Sequence, residues 1–227
     1  MEPKIIYEDK SIFVCYKPPK WPVQSDLTGD QDMVTYLKKY MKEVKNFDDP
    51  YVGLVHRLDR PVSGLVVFAK NPKANHHLSQ SLQDRTFKKT YLAIVEGQPK
   101  EETWCHYLKK KFKTNTSHVV EAKSQKSKKA ILTISPLETI QLDNQVHSLV
   151  RIQLETGRHH QIRVQCAHMN HPLWGDTKYN PSFQNKKGWY QIALFAESVE
   201  FIHPKTKEIM SFKLPPKDYP FDQFKNL

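Results

Sequence analysis

His56-Arg57-Leu58-Asp59-Arg60-Pro61-Val62-Ser63-Gly64 sets one carboxylate among two guanidiniums and an imidazole. The residues before it, Val52-Gly53-Leu54-Val55, and the run after it, Leu65-Val66-Val67-Phe68-Ala69, are short, apolar and bounded by turn formers, so both read as strands. Pro61 and Gly64 punctuate the connection. A strand-loop-strand unit holds Asp59 in a defined place, which is what a nucleophilic or acid-base carboxylate requires. The same residues also fit a surface turn in which an aspartate pairs with arginines, because structural ion pairs cluster in this way too.

Towards the N-terminus, Ile12-Phe13-Val14-Cys15-Tyr16 reads as a strand that Pro18-Pro19 stops. Met33, Leu37, Met41 and Val44 recur at helical spacing, with Asp30 or Asp32 placed to cap the start and Lys38, Lys39 and Lys42 on the outer face. Beyond the loop, Asn71-Pro72 opens a second helix, Asn as N-cap and Pro in the first turn, whose inner face is Ala74, Leu78 and Leu82. Residues 89–97 read as a strand ending at Gly97. The lysine-rich stretch from Lys109 to Lys129 loses periodicity and fits either a mobile loop or an exposed ribbon gripping a polyanion. Strands follow at Ala130 to Ile134 and Ser148 to Leu154, paired through a polar turn near Asp143-Asn144, and a last set runs from Gln191 to Ala196 and Ser198 to Ile202.

A second constellation, Thr156-Gly157-Arg158-His159-His160-Gln161-Ile162-Arg163, joins a strand to a short helix with Ile162, Cys166 and Met169 inward. Gly157 supplies backbone freedom for the turn, and the unpaired N–H groups of a helix start suit an anion. If Arg163 meets Asp59, the guanidinium keeps that carboxylate ionised and oriented. His159, His160, His168 and His171 match no zinc spacing and contain no carboxylate, so phosphate contact or helix capping is the better reading, and no metal is expected.

The chain of 227 residues is long enough for a substantial core, and it carries neither a repeat nor a linker marking an independent second domain. No stretch is long and apolar enough for a membrane span or a signal peptide, and three scattered cysteines fit a reducing cytoplasm. A formal charge of +11 attracts polyanions, nucleic acid first among them.

Three blocks in order, His-Arg-Leu-Asp-Arg-Pro-Val-Ser-Gly at 56–64, Lys-Thr-Tyr-Leu-Ala at 89–93 and Thr-Gly-Arg-His-His-Gln-Ile-Arg at 156–163, resemble the RluA-type RNA pseudouridine synthases, and the likeness runs from Ile12 to about Phe212 with a Gly-Asp-x-x-Tyr at Gly175 to Tyr179. Val62 stands where that family usually has Thr. The resemblance implies a single mixed α/β catalytic domain over 1–227, without an N-terminal S4 domain, built on a long, largely antiparallel central sheet flanked by helices with a cleft across it. It implies isomerisation of uridine to pseudouridine in structured ribosomal or transfer RNA, by a cytoplasmic monomer that needs no metal, organic cofactor or obligatory protein partner. Asp59 matches the family's catalytic aspartate, Tyr91 its base-stacking tyrosine and Arg163 the arginine paired with the aspartate. His56, Arg57, Arg60, Arg158, His159, His160, Gln161 and Ile162 become substrate contacts, with Arg57 or His56 filling the space of a flipped-out uridine. Breaking the C–N glycosidic bond develops positive charge on the sugar, which a close carboxylate can stabilise, attack or relieve by taking a proton. The residues fit either attack on the sugar or proton removal in an elimination.

Overall fold

Apolar runs with period two and two capped amphipathic stretches dominate a computed structural model that describes residues 2–25, 29–142 and 144–227. In chain order its elements are β1 (Lys4–Glu8), β2 (Ile12–Lys17), α1 (Met33–Lys45), β3 (Gly53–Leu54), β4 (Ser63–Ala69), α2 (Pro72–Gln83), β5 (Lys88–Glu96), β6 (Glu102–Lys111), β7 (Thr116–Val120), β8 (Lys128–Leu142), β9 (Gln145–Leu154), α3 (Gln161–His168), α4 (Pro181–Gln184), β10 (Leu194–Ile202) and β11 (Ile209–Lys213). They form two compact units, Met1–Lys89 with Ala196–Leu214, and Thr90–Phe195 with Pro215–Leu227.

In the first unit the strands run in the order β1-β2-β4-β10, with β3 on β4 and β11 on β10. The pairs β1–β2, β2–β4, β3–β4 and β10–β11 are antiparallel. β4 is buried along its whole length, which explains its continuous apolar run: both faces are covered. On one face Leu65, Val67 and Ala69 join Ile12 and Val14 of β2, Ala74 and Leu78 of α2, and the stacked rings of Phe87 and Phe201. On the other, Phe13 meets Tyr40 of α1 edge to face at 6.3 Å. Asp32, rather than Asp30, caps α1, its Oδ1 accepting from the N–H groups of Val34 and Thr35 at 2.9 and 3.1 Å. The buried stripe of α1 stops at Met41: Val44 is exposed, and Asn46 ends the helix in the left-handed region. Asn71 caps α2 as its sequence position implies, through Ala74 N–H at 2.8 Å.

In the second unit the order is β5-β9-β8-β6-β7, with antiparallel pairing throughout. The lysine-rich stretch is an ordered ribbon: β6 and β7 pair from Tyr107↔Val120 to Lys111↔Thr116. β8 runs eight residues beyond Ile134, through Pro136. Pro136 sits where the β8–β9 register shifts, and a bulge tolerates a residue that cannot donate to the ladder. Asp143, half of the expected β8–β9 turn, lies outside the described residues; Asn144 takes a positive φ of 61°. The separate segments 191–196 and 198–202 become one strand, β10, starting at Leu194.

Candidate active site

Asp59 lies in a loop fastened from behind by a lysine. The side chain of Lys17 is fully buried and its ammonium donates to three main-chain carbonyls, Pro18 O at 2.9 Å, Trp21 O at 2.8 Å and Arg60 O at 3.1 Å. Burial pushes Lys17 down to about 7, against the pull of the Asp59 charge; only the protonated amine has the three N–H groups that satisfy all three carbonyls together. Lys20 N–H donates to Arg60 O at 3.0 Å, and Arg60 Nε returns a bond to Lys20 O at 3.0 Å. The Arg60 guanidinium also pairs with Asp30. Val62 N–H closes the turn on Asp59 O at 3.0 Å. Gly64 ends the loop at φ +121°, where a Cβ would lie 2.4 Å from Ala196 O, so no other residue fits against β10 there.

His56 and Arg57, neighbours in sequence, have opposite fates. Arg57 is exposed, whereas His56 is buried, its Nε2 accepting from Val67 N–H at 3.1 Å and its ring tilted against Phe87. Burial, followed by the charge of Lys89, holds the His56 imidazole down at about 3, so it is neutral and serves as a brace for β4.

In the second unit the 156–163 block folds around the side chain of Gln161. Its Oε1 accepts from Thr156 Oγ1 at 2.8 Å and from Arg158 N–H at 3.0 Å, and its Nε2 donates to Ile131 O at 3.0 Å. Arg158 Nε donates to Lys129 O at 2.8 Å, which leads its exposed guanidinium along β8. His160 takes φ 54° and ψ 27° at the start of α3, a left-handed conformation costly for a residue with a Cβ. Its ring stacks on His159 at 3.8 Å, and its Nδ1 lies 2.9 Å from Tyr179 Oη. Because Tyr179 Oη accepts from Ser117 N–H at 2.6 Å, its own proton goes to His160 Nδ1, which puts the imidazole proton on Nε2. Burial and then the Arg163 charge push His160 to about 2, so it too is neutral. His159 Nδ1 lies 2.9 Å from Ser117 Oγ.

Arg163 is 4% exposed and Asp176 1%. The two form a bidentate pair, Nε to Oδ2 at 2.8 Å and Nη2 to Oδ1 at 2.7 Å, with the guanidinium carbon 5.2 Å from the centre of the Tyr179 ring. Asp176 Oδ1 also accepts from the N–H groups of Lys178 and Tyr179 at 2.9 and 3.2 Å. This gives the Gly-Asp-x-x-Tyr block its physical content. Gly175, at φ +76°, admits Gln191 O where a Cβ would lie 2.4 Å away; the aspartate orients Arg163; the tyrosine orients His160. Asp176, Tyr179, Ser117 and Lys17 are the supports that sequence reasoning misses. The first two stand in a recognisable block, while Ser117 and Lys17 carry no local signal.

Tyr91, on β5 opposite Ile152, is 6% exposed, and Ile162 is 4% exposed at the start of α3. The four histidines near α3 do not converge. His159 and His160 stack together, His168 packs on His106 at 5.0 Å, and His171 Nδ1 faces Glu96 O at 2.9 Å. Cys15 and Cys166 are buried thiols and Cys105 an exposed one. Among the described residues no helix is long and apolar enough to cross a membrane.

Residues 11–168, which include Asp59, Tyr91 and Arg163, match the RNA pseudouridylate synthase family. The chain belongs to that family. Its motif blocks mark it as RluA-type. Ribosomal large subunit pseudouridine synthase C of Buchnera aphidicola is 33% identical over 229 residues, 96% of this chain and 68% of that protein. The tRNA pseudouridine synthase C of Vibrio parahaemolyticus is 27% identical over 225 residues, 94% of this chain and 90% of that protein. Human RNA pseudouridylate synthase domain containing 1 shares the fold, with a TM-score of 0.75 at 22% identity over 95% of this chain and 84% of that one. The enzyme is an isomerase acting on RNA, and its mixed α/β architecture with extended antiparallel pairing is that of the family.

Proposed function

We propose that the enzyme converts uridines of ribosomal or transfer RNA to pseudouridine with Asp59 as the reacting carboxylate, Tyr91 as the base-stacking ring and Arg163 as the cation of the catalytic set. The observation that carries this reading is the fastening of the Asp59 turn by Lys17 and Arg60, which holds one half-buried carboxylate still at the cost of burying an ammonium. The bidentate grip of Asp176 sets the Arg163 plane, which suits a guanidinium that has to stay oriented through a reaction cycle. Either role of Asp59, attack on the sugar or proton removal, draws on the same held carboxylate.

A stacked uridine hides its glycosidic bond, so the target has to leave the helix at a cost of about a few kcal/mol. Arg57, exposed beside the buried His56, is the side chain proposed to fill the vacancy. Arg60, Arg158 and His159 are proposed to contact phosphate or sugar, while His160, Gln161 and Ile162 shape the site from the start of α3. The 227 residues act as one catalytic domain and as a monomer in the cytoplasm. With a charge of +11, RNA affinity falls steeply with salt as lysine–phosphate contacts release counterions; a flat salt response contradicts the reading. The decisive experiment maps pseudouridines across total RNA from cells with the gene, without it, and with Asp59→Asn in its place. Loss of the same positions in the second and third supports the proposal, and an unchanged map in the third ends it.

A further inference from the structure

Phe112, at the tip of the β6–β7 hairpin, is 83% exposed, the most exposed large apolar side chain among the described residues. A phenyl ring left in water at a hairpin tip adds little stability to the fold, yet the turn that carries it is closely held. Asn115 N–H closes the turn on Phe112 O at 3.2 Å, with Asn115 itself at φ 47°, and Thr114 and Thr116 join hydroxyls across it at 2.7 Å. Lys178 Nζ donates to Asn115 O at 3.0 Å. Lys178 belongs to the loop whose Asp176 grips Arg163, so the tip is clipped directly to the active-site framework of its own unit.

The register gives the tip its direction. Lys110 pairs with Ser117, and directly opposed residues of an antiparallel ribbon share a face. Ser117 is the residue bonded to His159 and Tyr179, so Lys110 stands on the side of that histidine pair, and its ammonium lies 5.4 Å from the centre of the Phe112 ring. Lys111 and Lys113 flank Phe112 in the chain, and no carboxylate occurs from Thr103 to Val120. A partner for this surface has to be a polyanion that also offers flat apolar faces. A duplex buries its base faces, whereas every unpaired nucleotide offers both a phosphate and a base face.

We propose that the β6–β7 tip docks an unpaired nucleotide of the substrate RNA, its base stacked on Phe112 and its flanking phosphates held by Lys110, Lys111 and Lys113. This rests on RNA being the substrate and deepens that reading: the enzyme selects a uridine that has a single-stranded neighbour within reach of the hairpin. The test compares binding of a fluorescein-labelled RNA stem-loop with binding of a fully paired duplex of the same stem, by anisotropy, for wild type, Phe112→Ala and Phe112→Trp. Phe112→Ala weakens stem-loop binding about tenfold and leaves duplex binding unchanged, while Phe112→Trp keeps both. Unchanged stem-loop binding in Phe112→Ala, equal losses on the two RNAs, or loss in Phe112→Trp overturns the proposal. The triple substitution Lys110→Gln, Lys111→Gln and Lys113→Gln lowers the salt slope on the stem-loop by roughly 0.7 for each phosphate that is no longer neutralised; an unaltered slope removes the phosphate part. Binding rather than turnover is read, so a wild type that engages the stem-loop through Phe112 but forms no pseudouridine upholds the dock while overturning the proposed reaction.

Discussion

Asp59 stands in a tight turn and Arg163 in the first turn of α3, and the turn of Asp59 is fastened through main-chain carbonyls whereas Arg163 is held by a side chain. Around Asp59, Lys17 and the Lys20–Arg60 exchange grip main-chain oxygens and leave the carboxylate itself only half buried. Around Arg163, the buried carboxylate of Asp176 grips the guanidinium and the ring of Tyr179 lies over it, and Ser117 in turn holds the Tyr179 hydroxyl. A group that reacts has to meet its substrate, so its supports belong behind it; a group that orients can be surrounded. Removing the first is expected to cost chemistry and spare the fold, and removing the second to cost the fold.

The sharpest way to break that contrast is Asp59→Asn. Pseudouridine formation, followed by tritium release from RNA labelled at uridine C5, falls by at least about a thousandfold, while the thermal midpoint stays within about 2 °C of wild type. A large loss of stability in this variant means that Asp59 is part of the framework after all. Asp176→Ala is the mirror case. It strands a buried guanidinium and lowers unfolding free energy in urea by about 3 kcal/mol or more; a variant as stable as wild type shows the pair to be dispensable.

Two further measurements sharpen the comparison. Tyr179→Phe removes the oxygen that Ser117 N–H and His160 Nδ1 share and costs about 1–2 kcal/mol of stability, with no comparable effect from Tyr36→Phe, whose hydroxyl makes one long bond at 3.5 Å. Lys17 is the more informative at high pH. Its folded value, about 7, lies below the ordinary lysine value, so the unfolded chain binds the proton more readily between the two. Wild-type stability relative to Lys17→Met therefore rises with pH across that interval, by up to about 1.4 kcal/mol per unit, and is constant below it. A difference that falls as pH rises shows that the carbonyl cage and Asp59 together outweigh burial.

How much of the fold and the site is legible in the sequence follows from the range of the interactions. The cap Asn71 and the strand β4 are written within a few residues of themselves and are readable there, while the spacing of α1 narrows its cap to Asp30 or Asp32. The ribbon β6–β7 is not, because paired strands of mixed exposure and many lysines lack a strong period; pairing to β8 and cover from α3 stabilise it instead. Val44 falls outside its helical stripe for a related reason, since spacing gives a face and only packing decides where the cover ends.

By itself the sequence determined the family, the mixed α/β class and the short local signals of strand and cap, since these are matters of residue type and local spacing. Only the tertiary structure decided what each charge leans on: Lys17 behind Asp59, Asp176 beneath Arg163, and His56 turned inward while Arg57 faces water. Lys17 and Arg60, Arg163 and Asp176, and His56 and Val67 lie 43, 13 and 11 positions apart in the chain, and chain separation carries no distance until the strands between have paired and buried their faces.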